Sequence, residues 1–161
     1  MTKQLLLFVL FAAIAINASA QKKREIIPHD TITGKYAYTG VSDSLPATKA
    51  QLKDKLDKWI KQNYNTDKNK YASVKVDNDT YELHDREALP GKTRKYVEYN
   101  LTVDVKEYKY RYKLTDLEYV AVGKYPLEDK MATDQRKDFE AMDEILRKII
   151  ASMEAAVKST W

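Results

Sequence analysis

The chain has no cysteine, four glycines, four prolines and two histidines in 161 residues. Without cysteine there is no disulfide scaffold, no thiolate metal site and no cysteine nucleophile. With so few glycines a phosphate-cradling loop has nothing to be built from, and no Gly-rich phosphate motif or G-x-S-x-G occurs. No apolar run reaches the length of a membrane-spanning helix, about 18 residues or more. Excess charge of one sign is also missing: 28 Lys+Arg against 24 Asp+Glu leave a net +4. A balance so close to neutral says little about a partner. What is abundant is apolar residue, 43% of the chain, enough for one packed core despite 32% charged residues. The length fits a single domain.

The first twenty residues stand apart. Lys3 precedes the apolar run Leu5–Ile16, and Asn17 and the small triplet Ala18-Ser19-Ala20 follow it. A helix over that run spans about 18 Å, well short of a hydrocarbon core of about 30 Å. A basic start, a short apolar centre and an A-x-A end define a secretory signal peptide over residues 1–20. No cysteine follows it, so a lipoprotein is not expected. The expected destination is the periplasm or the outside of the cell, with no transmembrane anchor. Residues 21–31, with Lys22-Lys23-Arg24-Glu25 and Pro28, read as a flexible tail, and residues 32–161 as the folded domain.

Along that domain the hydrophobic period changes in a legible order. Tyr36 and Tyr38, between Gly34 and Gly40, suggest a first strand over Thr33–Val41. Thr48-Lys49-Ala50-Gln51 fits a capping box. Leu52, Leu56, Trp59 and Ile60 then form one stripe of an amphipathic helix. Val74 and Val76 alternate with polar residues before the turn Asn78-Asp79. Tyr81 and Leu83 alternate after it, so that Val76 faces Tyr81, Val74 faces Leu83, and Lys75 faces Glu82. Asp77, Asp79 and Glu82 lack calcium-loop spacing and belong to this turn.

The clearest strand follows Pro90-Gly91. Val97, Tyr99, Leu101, Val103 and Val105 share one face; Tyr96, Glu98, Asn100, Thr102, Asp104 and Lys106 share the other. With a turn at Glu107-Tyr108, Val105 pairs with Tyr110, Val103 with Tyr112, Leu101 with Leu114, Asp104 with Arg111 and Thr102 with Lys113. A slip of one residue would turn the apolar set to water. The parity changes near Thr115-Asp116, which calls for a bulge or the strand's end. Gly123–Ala132 reads as a connection. Thr133 opens a last helix with Phe139, Met142, Ile145, Leu146, Ile149, Met153, Ala156 and Val157 on one stripe. The expected fold is α+β: a two-layer sandwich of an antiparallel sheet with both helices on one face, in the order β-α-β-β-β-β-α.

Several short stretches carry a resemblance. They are Gly34-Lys35-Tyr36, the Leu52…Trp59-Ile60 helix, Tyr110-Arg111-Tyr112-Lys113-Leu114-Thr115-Asp116-Leu117 and Tyr125-Pro126-Leu127-Glu128. The chain resembles a family of secreted Bacteroidetes domains of unknown function with a TATA-box-binding-protein-like fold. The resemblance runs from about Gly34 to Met153 and implies the same element order. It implies no activity. The sequence departs from the family's pattern at Glu107-Tyr108, where a glycine would be expected. Asp30-Thr31-Ile32 and Asp43-Ser44-Leu45 are similar to a short O-glycosylation motif of Bacteroidetes, which makes Thr31 and Ser44 the positions to examine. Asn78-Asp79-Thr80 and Asn100-Leu101-Thr102 match the N-glycosylation pattern.

Chemistry-bearing constellations are sparse. His29 falls in the expected tail, and His84 on the face opposite Leu83 is expected to be solvated. Neither has metal-ligand spacing, and no metal or cofactor is expected. No nucleophile–base–orienter set is visible. Tyr96, Thr102, Lys106, Tyr108, Arg111 and Lys113 form the candidate binding face, because both helices need the apolar side and none is left for this one. Aromatics and cations on a sheet also suit nucleic acid, but Glu98, Asp104 and Glu107 interrupt the charge and export removes the opportunity. The function expected is a non-catalytic binding or interaction domain for an envelope protein or glycan. The alternatives are an envelope hydrolase with a site assembled from distant residues, and an accessory subunit of an envelope complex. Intact-mass measurement of exported material should show loss of residues 1–20 and a mature start at Gln21; retention of Leu5–Ile16 would exclude the signal peptide.

Overall fold

The structure, a computed structural model, describes residues 26–64 and 69–159. The expected signal peptide and Lys22–Glu25 lie outside them. The elements are β1 (Tyr38–Val41), α1 (Lys49–Asn63), β2 (Ser73–Asp77), β3 (Thr80–Ala88), β4 (Tyr96–Lys106), β5 (Lys109–Val120), β6 (Lys124–Pro126), a single turn α2 (Lys130–Thr133) and α3 (Arg136–Lys158). The antiparallel sheet has the order β1-β5-β4-β3-β2, and β6 pairs with the far end of β5. It is an α+β fold with both long helices against one face.

The register follows from the alternation. Val74 faces Leu83, Val76 faces Tyr81 and Lys75 faces Glu82. Val105 faces Tyr110, Val103 faces Tyr112, Leu101 faces Leu114, and Asp104 faces Arg111. Beyond Leu114 the parity is rescued by a bulge. One residue, Tyr99, lies between Glu98 and Asn100 on β4, opposite two, Asp116 and Leu117, on β5. Asp116 takes the extra step at φ 50°, so Leu114, Leu117 and Tyr119 all reach the core. The bulge also divides the outer edge of β5: β1 pairs with Arg111–Leu114 and β6 with Glu118–Val120.

Both hairpin tips dock on the start of α1. Thr48 caps the helix through a reciprocal capping box with Gln51. The carboxylate of Glu107, in the β4–β5 turn, accepts the amide of Lys49 at 3.0 Å. Asp79, in the β2–β3 turn, pairs with Lys49 and Lys53 at 2.9 and 3.4 Å. An acid against the first helical turn satisfies an orphan N–H and complements the dipole. Tyr108 supplies the turn's left-handed residue, φ 62°, at the place where a glycine would sit without strain.

Four expectations are corrected. The first strand is only Tyr38–Val41, because Asp30 accepts the amides of Ile32 and Thr33 in a turn and Gly34 is left-handed at φ 69°. The end of the expected tail is docked: Ile27 is 0% exposed, and His29 bridges Tyr36. Gly123–Ala132 is not a plain connection, since Lys124–Pro126 folds back on β5 and α2 follows. The last helix opens at Arg136, not Thr133, because the α2 turn closes at Thr133.

Trp59 joins the two helices to the core. It is 3% exposed, its indole N–H donates to Ser152 Oγ of α3 at 3.0 Å, and its ring meets Tyr64 edge to face at 5.3 Å. Truncating a buried aromatic costs about 3–5 kcal/mol. Trp59→Ala should therefore lower the urea midpoint sharply; a loss below about 1 kcal/mol would contradict its anchoring role.

Candidate functional site: the open face of the sheet

Among the described residues no element covers the sheet face opposite the helices. Its side chains come from alternate positions of every strand, and the pleat arranges them in cross-strand rows. One row runs Val41, Arg111, Asp104, Thr80. The next runs Thr39, Lys113, Thr102, Glu82, Lys75. A third joins Thr115, Asn100, His84 and Ser73. A fourth carries Glu118, Glu98 and Arg86.

At the β4–β5 turn end the face is cationic. Lys106 lies directly opposite Lys109, both exposed, and neither makes an ion pair among the described residues. Arg111 donates from Nε to Asp104 at 2.6 Å, and the Thr80 hydroxyl donates to the other Asp104 oxygen at 2.6 Å. Lys106, Lys109, Arg111, Asp104 and Val41, the last 71% exposed, line a hollow of about 190 Å³. Two like charges facing each other across a ladder destabilise a hairpin, so this pair is not explained by folding.

The middle of the face is a polar concavity of about 390 Å³, with Ser73, His84, Asn100, Thr102 and Thr115 in its lining. His84 is not free in solvent, as the alternation suggested. Nδ1 lies 2.7 Å from Asn100 Oδ1 and Nε2 lies 3.0 Å from Glu98 Oε1. Asn100 in turn donates to Asp116 at 3.0 Å. Ser73, His84 and Glu98 are the residue types of a hydrolytic triad brought into one region. Both ring nitrogens are already bonded, however, so neither is available to take a proton from Ser73. Among the described residues no three His, Asp or Glu side chains are grouped to hold a metal ion.

The far end holds a feature that the sequence did not reveal. The Arg86 guanidinium sits over the Tyr71 ring, 3.0 Å from its centroid, and over the Tyr96 ring at 4.3 Å. Tyr71 lies between strands, outside any periodic pattern, so no spacing rule pairs it with Arg86.

Of the candidate residues, Lys106, Arg111 and Lys113 come together at the turn end. Thr102 lies nearer the middle. Tyr96 is at the opposite end of β4, about 33 Å away along a strand rising about 3.3 Å per residue, and belongs with Arg86. Tyr108 is half-exposed but serves the turn. The sequence places Lys109 on or near this face among its aromatics and cations but not among the candidate binding residues, and it gives no sign that Val41 belongs there. No helix among the described residues is long and apolar enough to cross a membrane.

With this geometry the fold class is α+β, and solved structures described as TATA-box-binding-protein-like share it. No family model matches the sequence, and no curated protein matches it either. Among solved structures, a TBP-like protein from Parabacteroides distasonis superposes with a TM-score of 0.71 at 16% identity, covering 85% of this chain and 100% of that one. A DUF4468 family protein from Bacteroides ovatus superposes with a TM-score of 0.70, also at 16% identity, covering 85% of this chain and 93% of that one. Both are Bacteroidetes proteins, as the short stretches suggested, and likeness at this identity is likeness of fold.

Asp104 offers a pH test of the face. The Thr80 hydroxyl, then the Arg111 guanidinium, hold its carboxyl below the usual carboxylate range. A depressed carboxylate contributes stability above its unfolded pKa and loses it as pH falls through the folded value. The difference in urea midpoint between wild type and Asp104→Asn should be full above about pH 5 and shrink steadily as the pH falls below the ordinary carboxylate range. A difference independent of pH would place the effect elsewhere.

Proposed function

We propose that the protein is an exported, non-catalytic binding module whose working surface is the open sheet face, entered at the cationic turn end. One observation carries the reading: Lys106 and Lys109 face each other with no ion-pair partner among the described residues, beside a hollow that Val41, Asp104 and Arg111 also line. Such a pair is unfavourable alone and becomes favourable when an anionic group lies between the two ammoniums. The expected signal peptide supports export, and the engaged nitrogens of His84 support a role without hydrolysis. The partner is an envelope component that carries negative charge.

Lys106→Glu separates binding from stability. It turns a like-charge pair into an opposite-charge one, which adds about 0.2–1 kcal/mol to the hairpin. Stability should hold or rise, while affinity for soluble polygalacturonate or polyglutamate falls and its salt dependence weakens. Unchanged affinity for both polymers would remove the turn end as the working surface.

A further inference from the structure

The open face carries a second cationic point, built differently from the first. Arg86 faces Glu98 in register across β3 and β4, the arrangement in which a cross-strand ion pair normally forms. That pair does not form. Glu98 is engaged instead by His84 Nε2 at 3.0 Å and Lys124 Nζ at 3.3 Å. Arg86 is held over the Tyr71 and Tyr96 rings and pairs with no carboxylate among the described residues. The guanidinium also donates to the Tyr71 phenol, and its remaining N–H donors are left for another acceptor. Lys70 Nζ lies 5.1 Å from the centroid of the same Tyr71 ring. The Lys70 ammonium, with Arg86, holds the Tyr71 phenol below its usual range. Tyr71 is still 37% exposed.

The two cationic ends are joined by the polar concavity. From Glu98, opposite Arg86, to Lys106, opposite Lys109, the strand advances about 26 Å at about 3.3 Å per residue. Hydroxyl, amide and imidazole groups of Ser73, Asn100, Thr102 and His84 lie on or beside that path. The carboxylates of the concavity are neutralised, Glu82 by Lys75 at 3.2 Å and Asp116 by Lys35 at 3.7 Å. A chain that suits this strip carries negative groups at intervals, neutral hydroxyls between them and no large apolar side chains.

Resting on the binding role proposed above, we infer that the ligand is an acidic polysaccharide lying along the open face, with one carboxylate at the Lys106–Lys109 pair and another on the edge of Arg86. Bidentate Arg–carboxylate contact fixes the far end, and the linkage between the ends supplies the gain in affinity.

The test uses galacturonate oligomers and the mature protein in titration calorimetry. The octasaccharide should bind wild type at least about tenfold more tightly than the disaccharide. Arg86→Ala should remove that gain and leave disaccharide affinity as it was. Should the alanine variant not fold, Arg86→Gln, which keeps the stem over the rings, carries the same test. Octasaccharide binding that falls in Lys106→Glu but not in the Arg86 variants overturns the second anchor and leaves the turn end standing. Binding indifferent to both substitutions overturns this inference and the proposed function together. Oligoglutamate bound as tightly, with the same dependence on both ends, overturns the polysaccharide and points to an acidic polypeptide.

Discussion

The pairing of β4 with β5 is the constraint on which the rest depends. These are the two central strands, and their register places Leu101, Val103, Val105, Tyr110 and Leu114 on one surface. A sheet with one apolar surface must be covered there, and two helices with one apolar stripe each are what the chain has to cover it. The opposite surface is left polar by the same parity. Core and open face are therefore two readings of a single alternation, and neither can shift without the other. The bulge at Asp116-Leu117 is the one place where parity would fail, and it keeps Leu117 and Tyr119 on the inner side.

The turns tie that sheet to its cover. Glu107 and Asp79 come from different hairpins, yet both meet the first turn of α1. The ends of the strands thus set the position of the helix, and the helix holds the two hairpins in step. The cationic pair at Lys106 and Lys109 immediately flanks this junction. Its lysines stand on a turn held by Glu107 and by the bond from the Leu45 amide to the Tyr108 carbonyl. Charges on so well-fixed a turn are presented in a defined geometry.

Much of this was legible in the sequence, and the part that was not has a physical explanation. The alternation in Val97–Val105, the pairing of Val74 with Leu83 and the Thr48–Gln51 cap are local patterns with strong periodic or steric signals, and the structure reproduces them. The short β6 was missed because three residues containing Pro126 carry no period. Ile27 was misread because burial of one residue in a charged segment depends on where the helices end up. On the open face the strand parity identified which residues share a surface, but not which of them are close along it. Tyr96 and Lys106 share a face and lie at opposite ends. His84 and Arg86 depend on competition among Glu98, Asn100, Lys124 and Tyr71, and competition between neighbours leaves no mark in spacing.

Gly40 pairs with Tyr112 in the sheet, and a β-carbon at position 40 would lie 2.5 Å from the tyrosine ring. The ring occupies the space that the absent side chain leaves and closes the flank of the core at the outermost strand. The two positions make one steric object distributed over two strands. In the descent of such a domain neither could change first without a penalty: a side chain at 40 requires a smaller residue at 112, and a smaller residue at 112 opens a gap until 40 fills it. Residues 40 and 112 are therefore sterically coupled, so that a change at one alters what the other tolerates.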